Sequence, residues 1–121
     1  IDGEHVVFHG EIGHAALVEL FGGAKATLYP ISWHEPFGLV MAESMACGTP
    51  VIAYNIGSVP EIVRDGLTGF VIDPSAGIAG LVESVNTIGS IRRATCRSYA
   101  EEHFHKDRMV KEYESVYEKI V

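Results

Sequence analysis

The sequence has few cationic residues: Lys and Arg number 9 against 16 Asp and Glu, which gives a formal net charge of −7. Nucleic-acid affinity depends mostly on clustered Lys and Arg, so this composition argues against nucleic acid as a partner. No stretch approaches the roughly 20 apolar residues of a membrane-spanning helix. A basic segment followed by an apolar one is also missing at the start, so no secretion signal is predicted.

Cysteine is scarce as well, and several familiar motifs are missing. Cys47 and Cys96 lie far apart without CxxC or metal-ligand spacing, so we expect reduced thiols, no disulfide and a cytoplasmic protein. The two closely spaced histidine pairs have no carboxylate or cysteine that completes a metal set, and we expect no metal. Without GxGxxG, GxxxxGK or GxSxG, the usual dinucleotide, P-loop and serine-hydrolase signatures are excluded.

What the sequence does contain is an alternation of short apolar strands and helical segments. Strand starts recur at intervals of roughly 20 residues with a helix between them, a spacing typical of right-handed parallel crossovers. From Ala76 onward only helices are predicted, and the apolar positions of the last one, Asp107 to Val121, predict helical packing. The predicted strands are His5 to His9, Ala26 to Ile31, Val51 to Tyr54 and Gly69 to Ile72.

These elements predict an α/β fold: a partial Rossmann-like domain with about four parallel strands, flanking helices and a helical C-terminal tail. Such sheets bind ligands beyond the carboxyl ends of their strands, where the loops Gly10 to Gly13, Ser32 to Gly38 and Asn55 to Ser58 are expected. Ser58 and Glu61 have capping-box spacing. Gly57 and Ser58 then have two possible roles: they border a bound phosphate at this edge of the sheet, or they form a turn and a helix cap.

The stretch Ser32 to Gly48, SWHEPFGLVMAESMACG, carries the most chemical information. Pro36 suits a helix entrance, which would leave the amides of Phe37, Gly38 and Leu39 as unpaired first-turn donors. Unpaired amides at a helix N-terminus bind anions, and glycine lets a diphosphate come close. This part of the stretch predicts a phosphate site.

Two glutamates, Glu35 and Glu43, flank that predicted phosphate site. A carboxylate accepts hydrogen bonds from paired hydroxyls such as those of a sugar, and eight residues at helical rise span at most roughly 12 Å. One sugar at Glu35 and a ribose at Glu43 would describe a nucleotide sugar. The alternatives are a charge that complements the helix dipole for Glu35, and a buried carboxylate bonded to protein groups for Glu43.

The segment EPFGLVMAE resembles the two-glutamate motif of retaining glycosyltransferases of the GT-B fold, specifically family 4, also termed group 1. The similarity continues through SMACGTPVIAYNIGSVPEIVRDGLTGFVID. It implies that Glu35 is the catalytic-site glutamate that holds donor-sugar hydroxyls, that the amides of residues 37–39 contact sugar and diphosphate, and that Glu43 binds ribose. Gly10, Glu11 and Ile12 resemble the segment near the nucleobase.

The resemblance also implies what is missing. Residues 1–121 would be the C-terminal part of a nucleotide-sugar-binding domain, with the first βα units and the N-terminal acceptor domain absent. The family supplies Arg and Lys for the diphosphate from an earlier segment, whereas residues 26–63 contain neither. The parent enzyme would transfer a sugar to an unidentified acceptor without a metal cofactor, possible membrane association would come from the missing domain, and the fragment alone would be inactive. A catalytically silent α/β binding or interaction module is the alternative.

Overall fold

The computed structural model describes residues 4–121. Short 3-10 turns at Pro74–Ala76 and Ile88–Ser90 join some of the regular elements. In chain order, these elements are α1 (His14–Gly23), β1 (Thr27–Tyr29), α2 (Leu39–Ala46), β2 (Val51–Tyr54), α3 (Val59–Ile62), β3 (Gly69–Ile72), α4 (Gly77–Thr87), α5 (Arg93–His103) and α6 (Lys106–Ile120).

The three strands form one parallel sheet in the order β1-β2-β3. The register pairs Thr27 with Val51 and Val51 with Gly69, so the carboxyl ends of all three strands lie at one edge. β2 is central, and its residues Val51, Ile52 and Ala53 are 0% exposed. The predicted α/β class with parallel strands is confirmed.

The predicted first strand, His5 to His9, is wrong: within the described range this segment is irregular. A strand requires a neighbour that completes its hydrogen-bond ladder, and β1 pairs only with β2 among residues 4–121. The next predicted strand is shortened at both ends to β1. Pro30 follows β1 directly and has no N–H to donate to a ladder.

The core lies where α2 and α5 cover the sheet. Met41 and Met45 of α2 and Cys96 of α5 are 0% exposed, and Ala100 is 4% exposed. Burying a large apolar side chain contributes roughly 1.5–3 kcal/mol each, so this face fixes the position of α2. The two predicted site glutamates belong to α2 and the loop before it.

The C-terminal helix α6 forms as predicted, but its predicted packing does not. It contains no buried residue. Met109 is 55% exposed, Tyr113 58% and Ile120 76%, so the apolar face that sequence periodicity predicts to be packed lies in the open. Periodicity reports that a face is apolar, not that another element covers it. None of the helices formed by residues 4–121 has the length and apolar character needed to cross a membrane.

Candidate functional site

Two loops meet at the carboxyl edge of the sheet and hold the conspicuous glutamate Glu35. The loop after β2 reaches the loop after β1 through Ser58, whose amide donates to the Glu35 carbonyl at 3.1 Å. The Ser58 hydroxyl donates to the Phe37 carbonyl at 2.7 Å. Ser58 therefore fixes the backbone on both sides of Pro36.

The predicted capping box of Ser58 and Glu61 is wrong, because the Ser58 hydroxyl has a different partner. Ser58 precedes α3, but its side chain makes no cap hydrogen bond. Its hydroxyl is engaged by the Phe37 carbonyl, a partner that lies 21 positions earlier in sequence. A long-range contact has displaced the local one.

Gly57 lies directly against the backbone of the glutamate loop. Its φ is +59°, and an added Cβ would lie 2.7 Å from the Glu35 amide nitrogen and 2.8 Å from the Glu35 carbonyl oxygen. A Cβ cannot approach backbone atoms this closely, so only glycine permits this contact between the loops. Gly57 thus helps to set the position of Glu35.

Helix α2 begins later than predicted. Gly38, not Pro36, is its N-cap, with φ 82° and ψ 65°, and this left-handed conformation interrupts the helix before Leu39. A Cβ on Gly38 would lie 2.5 Å from Met41 Cε and 3.2 Å from Glu35 Cγ. The left-handed backbone conformation therefore favours glycine, and a Cβ would also make the Met41 side chain shift.

Unpaired amides are nevertheless present at the start of α2. Met41 is the first residue of α2 whose amide is bonded, to the Gly38 carbonyl at 3.0 Å. Within residues 4–121, the amides of Phe37, Gly38, Leu39 and Val40 donate to no acceptor. Four consecutive donors next to a helix N-terminus suit an anion such as a phosphate.

The carboxylate of Glu35 is half-buried and held by two aromatic side chains. The Tyr29 hydroxyl donates to Glu35 Oε2 at 3.3 Å, and Trp33 Nε1 donates to the same oxygen at 3.2 Å. Burial raises the pKa of Tyr29, and the charge of Glu35 and the hydrogen bond to it raise that pKa further. Tyr29 therefore stays protonated and able to donate.

Sequence reasoning missed both of these aromatic residues. One signal was present: Trp33 is the single tryptophan of the chain and stands two positions before Glu35. Tyr29 gave no such signal, because it reads as an ordinary strand residue of β1. Only the turn of the chain between β1 and α2 brings its hydroxyl to Glu35.

Glu43 lies on a different side of α2, at a small cavity. It is half-buried, not fully buried, and its carboxylate accepts no hydrogen bond from any residue between 4 and 121. The alternative of a carboxylate bonded to protein groups is therefore not what the described structure contains. The cavity has a volume of about 140 Å³ and is lined by His14, Leu17, Val18, Phe21, Glu43, Ala46 and Cys47.

The predicted nucleobase segment lies close in sequence to this cavity but does not line it. Gly10 and Glu11 are exposed and Ile12 is half-buried. Gly10 has φ +64°. The lining residues come instead from α1, which begins two residues after Ile12. The structure thus joins α1 to Glu43 and joins Tyr29, Trp33 and Ser58 to the Glu35 loop, while residues 10–12 stay outside both groups.

Potential metal ligands are dispersed in the described part of the chain. No group of three or more His, Cys, Asp or Glu residues between positions 4 and 121 is placed to hold a metal ion. Cys47 and Cys96 are both free thiols. The polar groups around α2 are instead unpaired amides and two carboxylates, which bind anions and hydroxyls respectively.

Comparison with known families decides what kind of protein carries this site. The model of the family described as "Glycosyl transferases group 1" matches residues 3–103. The chain belongs to the group 1 glycosyl transferases. The resemblance noted in the sequence is confirmed at the level of this family.

Relatives of this group 1 glycosyltransferase chain include both sequences and solved structures. A D-inositol 3-phosphate glycosyltransferase from Mycobacterium sp. (strain KMS) is 37% identical over 83% of this chain and 22% of its own length. Sucrose-phosphate synthase from Thermosynechococcus elongatus superposes with a TM-score of 0.84 at 29% identity, over 98% of this chain and 31% of its own.

A third match shows the fold alone. Anabaena HepE, solved in complex with UDP-glucose, superposes with a TM-score of 0.63 at 23% identity, over 82% of this chain and 30% of its own. These superpositions establish the chain as a partial Rossmann-like domain of the GT-B type. The chain spans a third or less of the length of the curated relatives it matches.

Proposed function

We propose that this chain is the donor-binding part of a longer enzyme that transfers a sugar from a nucleotide sugar to an acceptor with retention of anomeric configuration. The observation that carries the proposal is the row of four unpaired amides at residues 37–40, next to two carboxylates with separate surroundings. Diphosphate, sugar hydroxyls and ribose hydroxyls match these three groups in chemistry.

In this proposal the two glutamates bind different parts of the donor. Glu35 takes sugar hydroxyls, the amides take the diphosphate, and Glu43 takes the ribose at the cavity beside α1. The two-carboxylate scheme of glycoside hydrolases does not apply, because there both carboxylates flank one bond. Catalysis then comes from positioning the donor and stabilising the leaving diphosphate.

The proposal also covers partners and surroundings. The nucleotide-sugar donor is the partner of this chain, and the acceptor is bound by another part of the longer protein. No metal cofactor is required, because amides bind the diphosphate together with cations from outside residues 26–63, which contain no Lys or Arg. We place the enzyme in the cytoplasm, and the 121-residue chain alone binds donor weakly without transferring sugar.

Calorimetric titration of the full-length protein tests the donor assignment. UDP-glucose, ADP-glucose and GDP-mannose are titrated, each beside its nucleoside diphosphate. A hydrogen bond to a charged group contributes about 1.5–3 kcal/mol. Glu43→Gln is therefore expected to lower the affinity for both the nucleotide sugar and the nucleoside diphosphate of the preferred base about tenfold or more. Glu35→Gln should lower the affinity for the nucleotide sugar only, since the nucleoside diphosphate lacks the sugar hydroxyls that Glu35 binds in this proposal.

The matched control is Glu61→Gln, an exposed glutamate of α3 with the same change of charge. It should leave both affinities unchanged. Equal affinities in Glu43→Gln and the unsubstituted protein would contradict the proposal. Retention is tested separately by NMR of the anomer first released when the enzyme slowly transfers the sugar to water; release of the inverted anomer would refute that part.

A second function, a binding module without transfer, is favoured by one observation: the absence of Lys and Arg from residues 26–63. Cations near a diphosphate stabilise it as a leaving group as well as binding it. The titrations combined with the NMR assay of sugar release distinguish the two functions. Donor binding by the full-length protein without any release of sugar would support the module.

A further inference from the structure

The two hydrogen bonds to Glu35 arrive at one oxygen. The Tyr29 hydroxyl at 3.3 Å and the Trp33 indole N–H at 3.2 Å both donate to Oε2. A carboxylate has about four lone-pair sites, two on each oxygen. Oε2 is therefore fully used within the protein, and Oε1 keeps its sites for another partner.

These two donors also belong to different parts of the fold, although both precede Glu35 in the chain. Tyr29 belongs to β1, which is anchored in the sheet by its ladder with β2. Trp33 lies on the same loop as Glu35, and its side chain is 58% exposed. One donor is thus held by the sheet and the other moves with the loop, so together they restrict rotation of the carboxyl group.

We infer that Tyr29 and Trp33 are positioning residues that hold Glu35 by Oε2 and leave Oε1 to accept the hydroxyls of the donor sugar. This inference rests on the proposed function and makes it more specific. A sugar would be bound through one oxygen of Glu35, not by one hydroxyl on each oxygen.

Neither polar group has another role in the described structure. Trp33 is too exposed to serve as core, and the indole N–H makes its bond only to Glu35 between residues 4 and 121. Replacement of either residue by Phe keeps an aromatic ring and removes the donor. The raised pKa of Tyr29 supports the geometry, because the hydroxyl keeps its proton at all ordinary pH values.

The test compares affinities for a nucleotide sugar and its nucleoside diphosphate in the full-length protein, with UDP-glucose, ADP-glucose and GDP-mannose as probes. Tyr29→Phe and Trp33→Phe should each weaken the nucleotide sugar of the preferred base about 5–10-fold. Both should leave the affinity for the nucleoside diphosphate within about twofold of the unsubstituted protein's, since Oε1 would contact only the sugar. In a Glu35→Ala background, the effect of Tyr29→Phe should vanish.

The matched control is Tyr99→Phe. Tyr99 is also half-buried, but it lies on α5 and packs through its ring on His103 and Phe104. This variant should leave both affinities unchanged.

Three other results would overturn the inference. Equal weakening of sugar and diphosphate would mean that the loop itself is distorted. An unchanged nucleotide-sugar affinity in both variants would mean that the two bonds do not position Glu35, while the proposed function would stand if Glu35→Gln still weakened that ligand. Binding of no probe by the unsubstituted protein would remove the proposed function and this inference together.

Discussion

At the scale of single residues, the site is positioned by glycine as much as by its polar groups. Gly57 touches the backbone of Glu35, and Gly38 leaves space for Met41 and Glu35 while holding a left-handed conformation at the start of α2. A side chain at either position would move Glu35 without removing any polar atom. The two glycines therefore control binding through geometry.

Gly57→Ala is expected to destabilise the 121-residue chain by about 3 kcal/mol. Positive φ costs an L-residue about 1–2 kcal/mol, and the clash with Glu35 adds an overpacking cost of similar size. Urea unfolding measures the change. Gly66→Ala is the matched control, because Gly66 has φ +72° but a Cβ there would meet nothing within 4 Å.

Gly66→Ala should cost only about 1 kcal/mol, the conformational part alone. In the full-length protein, Gly57→Ala should also weaken nucleotide-sugar binding, whereas Gly66→Ala should not. Equal destabilisation by the two substitutions would show that the contact between Gly57 and Glu35 is relaxed at no cost, and would contradict this account.

At the scale of elements, α5 joins the core to the end of α1. Arg93, the first residue of α5, donates to the Ala24 carbonyl at 2.6 Å and to the Gly22 carbonyl at 2.7 Å. It also donates to Thr49 Oγ1 at 2.8 Å. A cation at the C-terminal end of α1 complements the helix dipole as well as its unpaired carbonyls. Arg93 thus keeps α1, and with it the wall of the Glu43 cavity, in place.

Arg93→Met is expected to lower the free energy of unfolding by about 2 kcal/mol, because several hydrogen bonds from a charged group are lost together. Arg93→Lys should keep only part of the stability that Arg93→Met loses, since an ammonium cannot reproduce the planar fork of the guanidinium. Thermal unfolding followed by circular dichroism measures both. The neighbour Arg92 is exposed like Arg93, but its side chain makes no hydrogen bond between residues 4 and 121, so Arg92→Met should change the free energy of unfolding by no more than about 0.5 kcal/mol. Similar losses at both positions would be evidence against the contact.

The same scale explains which predictions from sequence succeeded. β2 and β3 have the predicted bounds, because short apolar runs between turn residues leave few alternatives for a buried strand. The segment His5 to His9 has equal strand character in sequence, yet strand pairing also depends on a neighbouring strand, which is set by the rest of the fold and not by the segment itself. Ser58 shows the limit for side chains: its capping-box spacing was correct, but a distant carbonyl competed for the hydroxyl.

The residues of the candidate site also separate into those that the sequence could indicate and those that it could not. Glu35, Glu43 and the amides near α2 could be proposed from the sequence because they lie within one short segment of it, although Glu35 precedes the helix that carries Glu43. Tyr29 and the α1 wall of the cavity could not, since they approach the glutamates only after strand and helix pack together. Local chemistry was readable from sequence, and contacts between elements were not.

At the scale of the whole molecule, α6 stands apart from the core. It has no buried residue, and its described contacts to other elements are at the surface, such as Arg108 to the Glu102 carbonyl at 3.3 Å. Surface contacts of this kind contribute about 0–1 kcal/mol. The folded unit is therefore the sheet with α1 to α5.

A chain that ends at His105 is expected to have a free energy of unfolding within about 1 kcal/mol of that of the 121-residue chain. Urea unfolding monitored by circular dichroism measures the difference. A chain that ends at Arg92 is the comparison: it loses Cys96 and Ala100 from the core against α2 and should not fold. A large loss of stability on removing α6 alone would show that its apolar face packs in solution.

The bond between Trp33 and Glu35 has an optical consequence. Trp33 is the only tryptophan of the 121 residues, so indole absorption by this chain reports on one place, the loop that carries Glu35. Indole emission responds to the hydrogen bonding and polarity around the ring. The 121-residue chain thus contains an intrinsic fluorophore beside its proposed sugar site, and the binding of unlabelled sugar nucleotides to it can be screened by the wavelength and intensity of its emission.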